Sequence, residues 1–306
     1  MIRHLKHNEI DKIRWDECIR LSDNGLIYAC SWYLDVVCPQ WEALVQDDYQ
    51  YVMPLPVNKR FGIAYLYTPL YAQQLGIFGK GIPSEQITEF LGHIPDSIRL
   101  WDIKLNEQNI YGKGRFTSRE RKNFTLDISS PYETVRSGYN RNCRRNIRKA
   151  EESGLQEGEG LSAHDFALFV RQNLKDQIHD LDRKAVGLLE SVTGEALKRK
   201  SCEIVTLQDA AGSIHAAGSF LFYKERVIFS VCASTSEGKE QHAMSMLVDQ
   251  QIRKYAGTYD LFDFSGSEIE GIAYFNAGFG ATEAIYPLIH LNRLNWVLRV
   301  ISGKIN

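Results

Sequence analysis

The chain has few cysteines, and they do not form a metal or redox motif. The six cysteines are Cys18, Cys30, Cys38, Cys143, Cys202 and Cys232. No two of them form a CxxC pair, and none stands at zinc-ligand spacing from a histidine. In a chain of 306 residues, cysteines scattered in this way predict small buried side chains in a reducing compartment rather than a disulfide framework.

The sequence also lacks a segment for export or membrane insertion. The N-terminus, MIRHLKHNE, is polar from the start and has no apolar stretch like that of a signal peptide. One uncharged stretch, Phe61–Gly79, contains a proline, two glutamines and three glycines. That composition favours strands and turns over a membrane span, which needs about 20 apolar residues. We therefore expect a cytoplasmic protein without a membrane span.

Motifs for several enzyme classes are missing as well. The eight histidines show no HExxH or HxH spacing, so no metal site is predicted. The sequence has neither a GxSxG elbow nor a P-loop, so a hydrolase or an NTPase has no local support. Because the net charge is only −2, attraction to a phosphate or a nucleic acid must come from a local patch of basic residues.

The length and the order of elements predict two domains. The chain is too long for one ordinary core, and its 44% hydrophobic and 24% charged residues are typical of a globular protein. Helix and strand patterns occur in both halves, and the segment SSPY, Ser129–Tyr132, interrupts them. We predict domains at residues 1–130 and 131–290, with residues 291–306 packing back on the first domain.

The last third of the chain predicts a ligand site. Its patterns give a three-stranded meander, a polar loop, a helix, a strand, a second helix and two final strands. The loop, Ser234–Gln241, would present unpaired backbone N–H groups and the positive end of the next helix dipole, which suit a pyrophosphate. A solvated connector is the alternative interpretation. The candidate cofactor-binding residues are Ser234, Gly238, Lys239, Gln241 and His242.

Three stretches of the chain carry a family resemblance. They are NGLIYACSWYLD (Asn24–Asp35), YNRNCRRNIRKAEESG (Tyr139–Gly154), and GTYDLFDFSGS with YFNAGFG (Gly257–Ser267 and Tyr274–Gly280). Together they resemble the GNAT N-acyltransferase superfamily, in the tandem-domain branch shared with Fem-type (FemAB-like) peptidoglycan aminoacyltransferases. The resemblance implies an α+β fold of two tandem GNAT-like domains, each a mixed, mostly antiparallel sheet flanked by helices. It also implies a donor site in the second domain for acetyl-CoA or another acyl-CoA.

The last of these stretches contains the catalytic candidates. In GNAT enzymes a tyrosine four residues before a Gly-Phe pair often acts as general acid, and Tyr274 holds that position relative to Gly278. Such an acid protonates the thiolate as the acyl group departs. Asp263 is the second candidate, either as the acceptor of the amine proton or as a carboxylate that binds backbone N–H groups. Fem-type proteins usually have lysine where this chain has Asn276.

The predicted helix Tyr139–Ser153 carries a stripe of arginines. Arg141, Arg144, Arg145 and Arg148 fall at i, i+3, i+4 and i+7, on one helical face. Like charges at this spacing repel by roughly 0.2–0.5 kcal/mol per pair, so a bound phosphate, tRNA or sugar diphosphate would stabilise the stripe. Ion pairs with acidic residues elsewhere are the alternative. In the first half, Gln74 stands in an apolar run and is a further substrate-binding candidate.

Three functions are compatible with this sequence. The favoured one is an N-acyltransferase that uses acetyl-CoA or another acyl-CoA to acylate a small-molecule amine bound between the two domains. The second uses aminoacyl-tRNA and a cell-wall precursor, as Fem-type enzymes do; the arginine stripe favours it and Asn276 argues against it. The third is a degenerate, non-catalytic GNAT-like protein that binds an anionic ligand.

Overall fold

The computed structural model describes residues 1–112, 114–174, 182–266 and 268–294. The chain divides into two compact units: Met1–Arg121 with a segment that begins at Ile285, and Lys122–Ala284. The boundary predicted at residue 130 lies in the loop after the strand Thr117–Asp127. Most of the segment 291–306, for which a return to the first domain is predicted, lies outside the described residues.

The first unit contains two groups of paired strands. Its strands are β1 (Ile2–Leu5), β2 (Glu42–Gln46), β3 (Tyr51–Leu55), β4 (Val57–Arg60), β5 (Ile63–Tyr67), β6 (Phe78–Gly79) and β7 (Leu100–Lys104). Its helices are α1 (Lys12–Leu21), α2 (Ser31–Val37) and α3 (Ser84–Gly92). β1, β2, β3 and β6 pair antiparallel in that order, and β5 pairs antiparallel with β4 and parallel with β7. β2 and β3 are consecutive in the chain and form a hairpin.

The second unit contains one mixed sheet. Its strands are β8 (Thr117–Asp127), which enters from the first unit, β9 (Gln156–Glu157), β10 (Cys202–Gln208), β11 (Ile214–Tyr223), β12 (Arg226–Ser234) and β13 (Leu261–Asp263). Its helices are α4 (Tyr132–Ser137), α5 (Arg141–Glu152), α6 (Ala163–Leu174), α7 (Arg183–Lys198), α8 (Ser236–Glu240), α9 (Ala243–Tyr255) and α10 (Glu270–Gly278). The strand order is β8-β13-β12-β11-β10-β9, and β12 with β13 is a parallel pair. The predicted meander is confirmed as β10, β11 and β12. No helix in the described ranges is both long and apolar enough to cross a bilayer.

Helices pack closely on the centre of this sheet. Both α6 and α9 contact β11, which is buried on both of its alternating sides. Small residues in β11 let the helices approach. A Cβ atom at Gly218 would lie 3.0 Å from the ring of Phe229 and 3.3 Å from Leu247 of α9. The close approach fixes where α9 begins, and the candidate site lies there.

Pro83 occupies the N-cap position of α3, and no side chain caps this helix. Two local predictions differ from the structure. The polar loop Ser234–Gln241 contains the helix α8. The two final strands are one, β14 (Thr282–Asn292). Pro287 does not break this strand because its carbonyl oxygen still accepts a hydrogen bond, at 2.8 Å, from the N–H of Leu105.

The cap of α5 gives a test of this local structure. The side-chain oxygen of Asn140 accepts a hydrogen bond from the N–H of Cys143 at 2.8 Å. We predict that Asn140→Ala lowers the free energy of unfolding by about 1 kcal/mol, because an N-cap is lost. Ser84→Ala is the matched control and should cost less than about 0.5 kcal/mol. Urea unfolding of both variants measures the difference, and equal losses would contradict the assignment of the caps.

Candidate active site

The sheet of the second unit opens at the end of β12. β13 ends at Asp263, which pairs with Ile228, whereas β12 continues to Ser234. At about 3.3 Å per residue, β12 extends roughly 20 Å beyond its last partner on β13. A strand edge of this kind offers backbone N–H and C=O groups to an extended ligand.

β12 also contains a bulge in this region. Ser219 of β11 pairs with Val231 and Phe220 pairs with Phe229, so Ser230 is the extra residue. The hydroxyl of Ser219 accepts a hydrogen bond from the N–H of Val231 at 3.2 Å and donates to its carbonyl at 3.3 Å. An extra residue changes the direction in which the side chains of a strand point. Bulges are frequent beside active sites for that reason.

The segment predicted to bind a pyrophosphate is a short helix. The hydroxyl of Thr235 accepts a hydrogen bond from the N–H of Gly238 at 2.9 Å, and its carbonyl accepts one from Lys239 at 3.0 Å. The N–H groups of Gln241 and His242 also donate to carbonyls of this segment. These donors are therefore satisfied within the chain and are not offered to a ligand.

The other cofactor candidates in this segment have different surroundings. Ser234 is buried at the end of β12, where it pairs with Ala216. Gly238 is buried, and a Cβ atom there would lie 2.1 Å from the carbonyl oxygen of His215. Lys239 is exposed. The glycine is therefore required for packing against His215, independent of any ligand.

The start of α9 lacks a side-chain cap. His242 occupies the N-cap of α9 with φ 57°, and its side chain makes no cap hydrogen bond. The first N–H groups of an α-helix have no partner within the helix, and the helix dipole adds positive potential there. Burial and the positive charges of Lys149 and Arg145 lower the pKa of His242. Helix α5 thus adds positive charge where α9 begins.

The arginine stripe lies on the exposed side of α5, as the sequence predicts. Arg141, Arg144, Arg145 and Arg148 are exposed, and Cys143, Ile147 and Ala150 are buried. Arg148 lies 3.7 Å from a carboxylate oxygen of Glu152, and Arg145 donates a hydrogen bond to Asn142. Arg145 is also the member of the stripe whose charge acts on His242.

A cavity of about 230 Å³ joins three helices of this unit. Its lining includes Asn142 and Asn146 of α5, Ser245 of α9 and Tyr274 of α10. Tyr274 is 61% exposed, so its hydroxyl is accessible to solvent. The candidate general acid therefore shares a cavity with the first turn of α9.

Two further predicted residues have hydrogen-bond partners within the chain. Asp263 is 1% exposed, and its carboxylate accepts hydrogen bonds from Arg226 at 2.7 Å and from the N–H of Ser265 at 2.8 Å. Of its two predicted roles, the structure shows the binding of a backbone N–H. Gln74 belongs to the first unit and is buried, with its side-chain oxygen accepting a hydrogen bond from the N–H of Glu107 at 2.9 Å.

Comparisons with known proteins identify the fold. No protein-family model matches the sequence, and a search of curated proteins finds no match. Solved structures do match. FemX superposes with a TM-score of 0.67 at 11% identity, over 98% of this chain and 99% of FemX. The protein has the tandem GNAT-like, Fem-type fold.

Two further structures with this tandem GNAT-like fold are similar along most of their length. The C-terminal domain of a putative lysylphosphatidylglycerol synthetase from Agrobacterium fabrum gives a TM-score of 0.58 at 11% identity, over 96% of each chain. A tandem GNAT protein from the clavulanic acid biosynthesis pathway, in a structure without acetyl-CoA, gives 0.50 at 8% identity, over 95% of this chain and 98% of that one. The predicted mixed fold of tandem GNAT-like domains is thus confirmed.

No sequence pattern singled out one buried acid of the second unit. Asp249 of α9 is 2% exposed, and the hydroxyl of Tyr132 donates a hydrogen bond shared between its two carboxylate oxygens, at 2.9 and 3.0 Å. Arg253 lies 3.8 Å from the same carboxylate. Burial raises the pKa of Asp249, and the hydrogen bond from Tyr132 and the charge of Arg253 oppose the rise. Helical spacing could have indicated that Asp249 is buried, since it follows Ser245 by one turn on the buried side of α9.

Asp249 helps to position α10. Its hydrogen bond with Tyr132 connects α9 to α4, and the chain after α4 leads directly to Tyr139. The ring of Tyr139 packs against Phe279 at 5.2 Å, and the N–H of Asn140 donates to the carbonyl of Gly278 at 2.9 Å. These contacts fix the end of the helix that carries Tyr274.

The contact between Gly238 and His215 predicts the effect of a methyl group. Gly238→Ala should lower the free energy of unfolding by about 1–3 kcal/mol, because Cβ would overlap a backbone carbonyl that cannot move away. Gly187→Ala is the matched control: Gly187 is also helical and no atom lies within 4 Å of its Cβ position. There the change should stabilise by about 0.5–1 kcal/mol. Chemical unfolding of both variants measures these opposite changes in the free energy of unfolding. A stabilising effect of Gly238→Ala would contradict the packing described for Gly238.

The raised pKa of Asp249 predicts a dependence of stability on pH. An acid whose pKa is higher in the folded state stabilises the protein more as the pH falls towards its ordinary value, 3.8. The unfolding free energy of wild type minus that of Asp249→Asn should therefore increase between about pH 7 and about pH 4.

Asp127→Asn is the control for this measurement, with the opposite sign. Hydrogen bonds from Ser129 lower the pKa of Asp127, so its stabilisation is lost on acidification. Urea unfolding at a series of pH values measures both differences. If the two differences changed in the same direction, the assignment for Asp249 would be wrong.

Proposed function

We propose that the protein is an N-acyltransferase that transfers the acyl group of acetyl-CoA, or of another acyl-CoA, to a primary amine. The observation that supports this most directly is the group of features at the start of α9. The helix begins at His242 without a side-chain cap, and Lys149 and Arg145 place positive charge there. Tyr274 lines a cavity that reaches the same turn of the helix.

The pyrophosphate of the donor would bind at the start of α9. Free N–H groups, the helix dipole and the charges of Lys149 and Arg145 all favour an anion at this place. This proposal moves the anion from the predicted segment Ser234–Gln241, where the N–H groups of Gly238, Lys239 and Gln241 are hydrogen-bonded within the segment, to the next helix. The edge of β12 beyond Ile228 would hold the extended arm of the donor through backbone hydrogen bonds.

The proposed chemistry is a direct transfer. The amine nitrogen attacks the thioester carbonyl carbon, the carbon–sulfur bond breaks, and Tyr274 donates its hydroxyl proton to the sulfur as the thiolate leaves. The proton that the amine loses passes to solvent, and Tyr274 regains one from solvent, to which it is exposed. Asp263 takes no proton in this scheme, because Arg226 holds its carboxylate in a buried ion pair.

A second candidate donor is aminoacyl-tRNA, with a cell-wall precursor as acceptor. The exposed arginine stripe favours it, since arginine and lysine side chains neutralise the phosphates of a nucleic-acid backbone. Asn276 argues against it: the residue is 2% exposed and neutral where Fem-type proteins usually have lysine.

Calorimetric titration with acetyl-CoA and with desulfo-CoA tests the donor. We expect one-to-one binding that is weakened roughly tenfold in the double variant Arg145→Gln/Lys149→Gln, since an exposed charge contributes about 0.5–1 kcal/mol. The control is Arg171→Gln, an exposed arginine on α6. A bound phosphate should also raise the pKa of His242, which NMR titration can follow. No binding at millimolar ligand excludes this donor, and charged tRNA is then titrated against the stripe.

Substitution of the general acid separates chemistry from binding. Tyr274→Phe should leave the affinity for acetyl-CoA unchanged and lower the rate of thiol release, in a panel of primary amines, by roughly 100-fold or more. The double variant Tyr274→Phe/Phe275→Tyr has a hydroxyl at the next position, but not in the same geometry. Its rate of thiol release should therefore stay as low as that of Tyr274→Phe. An unchanged rate in Tyr274→Phe would remove Tyr274 from the mechanism.

A further inference from the structure

The turn between β4 and β5 holds a phenylalanine in an unfavourable backbone conformation. Arg60 pairs with Ile63, which leaves Phe61 and Gly62 as the two turn residues, with φ 51° and 76°. Positive φ at both residues is the mark of a type I′ turn, which strongly prefers Asn-Gly. A bulky residue in the first place is strained, and strain of this kind is a reason to look for a function.

The same phenylalanine is unfavourably exposed. The side chain of Phe61 is 70% exposed at the end of the hairpin. Lys59 and Arg60 beside it are exposed, and the guanidinium of Arg60 lies 5.4 Å from the ring centroid. Neither cation forms an ion pair within the described ranges of the chain. The residues Lys59–Gly62, here called the hairpin tip, thus combine one exposed aromatic ring with two unneutralised positive charges.

We propose that the hairpin tip binds the surface of an anionic membrane. Phe61 enters the boundary between headgroups and acyl chains, and Lys59 and Arg60 contact lipid phosphates. An aromatic side chain flanked by basic residues is suited to this interface, and each basic residue strengthens the attraction to anionic lipid. The inference concerns the first unit and does not depend on the donor or on the acyl transfer.

The geometry favours a membrane over other anionic partners. A stable protein interface needs roughly 800 Å² on each partner, far more than a four-residue tip provides. An RNA base would stack on a face of the ring, and the guanidinium of Arg60 lies over one of the two faces. Entry of the ring into a lipid interface requires no free face and no matching groove.

Vesicle sedimentation tests the proposal. The full chain should bind vesicles of equal parts phosphatidylglycerol and phosphatidylcholine and should fail to bind vesicles of pure phosphatidylcholine. Phe61→Asn should reduce binding roughly tenfold, because the apolar contact is lost. Phe61→Trp should retain binding. Lys59→Gln/Arg60→Gln should reduce it roughly 25-fold, about fivefold for each charge, and should remove its sensitivity to salt.

Two controls separate recognition from folding. Asparagine suits the turn better than phenylalanine, so the melting temperature of Phe61→Asn should equal or exceed that of wild type. Ile110→Ser removes another exposed apolar side chain of the first unit, which is 72% exposed, and should leave binding unchanged. Equal binding by wild type and Phe61→Asn, absence of binding to the anionic vesicles at low salt, or competition by RNA that depends on Phe61 would each overturn the proposal.

Discussion

The parallel pairing of β12 with β13 is the constraint on which the candidate site depends. The pairing covers three residues of each strand, from Arg226 opposite Leu261 to Ile228 opposite Asp263, and the ion pair of Arg226 with Asp263 holds it. Because Asp263 is buried, removing Arg226 would break a buried ion pair, which typically costs about 3–5 kcal/mol. Beyond this short pairing β13 has ended and β12 continues, so a ligand can reach its edge.

The second determinant of the site is the placement of positive charge. Backbone dipoles at the start of α9 and side chains of α5 act on the same place, since Lys149 and Arg145 both lower the pKa of His242. Helix α5 is fixed through its buried residues Cys143, Ile147 and Ala150. Packing of one face of α5 thus determines where the charges of the other face lie.

The sequence predicts the features of the site that depend on local pattern. The two faces of α5, the meander of β10 to β12 and the helix of Tyr274 follow from helical and strand periodicity, which neighbouring residues determine. The helix α8 was missed, although Thr235 three residues before Gly238 is a local cap signal. Weighing that signal would have shown that the N–H of Gly238 is used within the segment.

Other features could not be predicted, because they join distant parts of the chain. Arg226 and Asp263 are 37 residues apart, and Tyr132 and Asp249 are 117 apart. The periodicity of a sequence does not show which side chain will contact a buried carboxylate. The same holds for Gln74, whose amide completes a hydrogen bond to Glu107 in the first unit. The resemblance to known acyltransferases predicted the fold correctly, whereas the surroundings of individual polar residues required tertiary structure.

The first unit is assembled from both ends of the described chain, and this has a consequence for biosynthesis. Lys104 of β7 pairs with Leu288 of β14, so the partner strand is translated only after the whole second unit. At roughly 5–20 residues per second, that delay is on the order of 10–40 s. During this time the second unit can fold on the ribosome, while an edge of β7 remains without its final neighbour. A nascent chain of this topology would therefore need protection from aggregation chiefly in its earliest part, and its first domain would be the last to be completed.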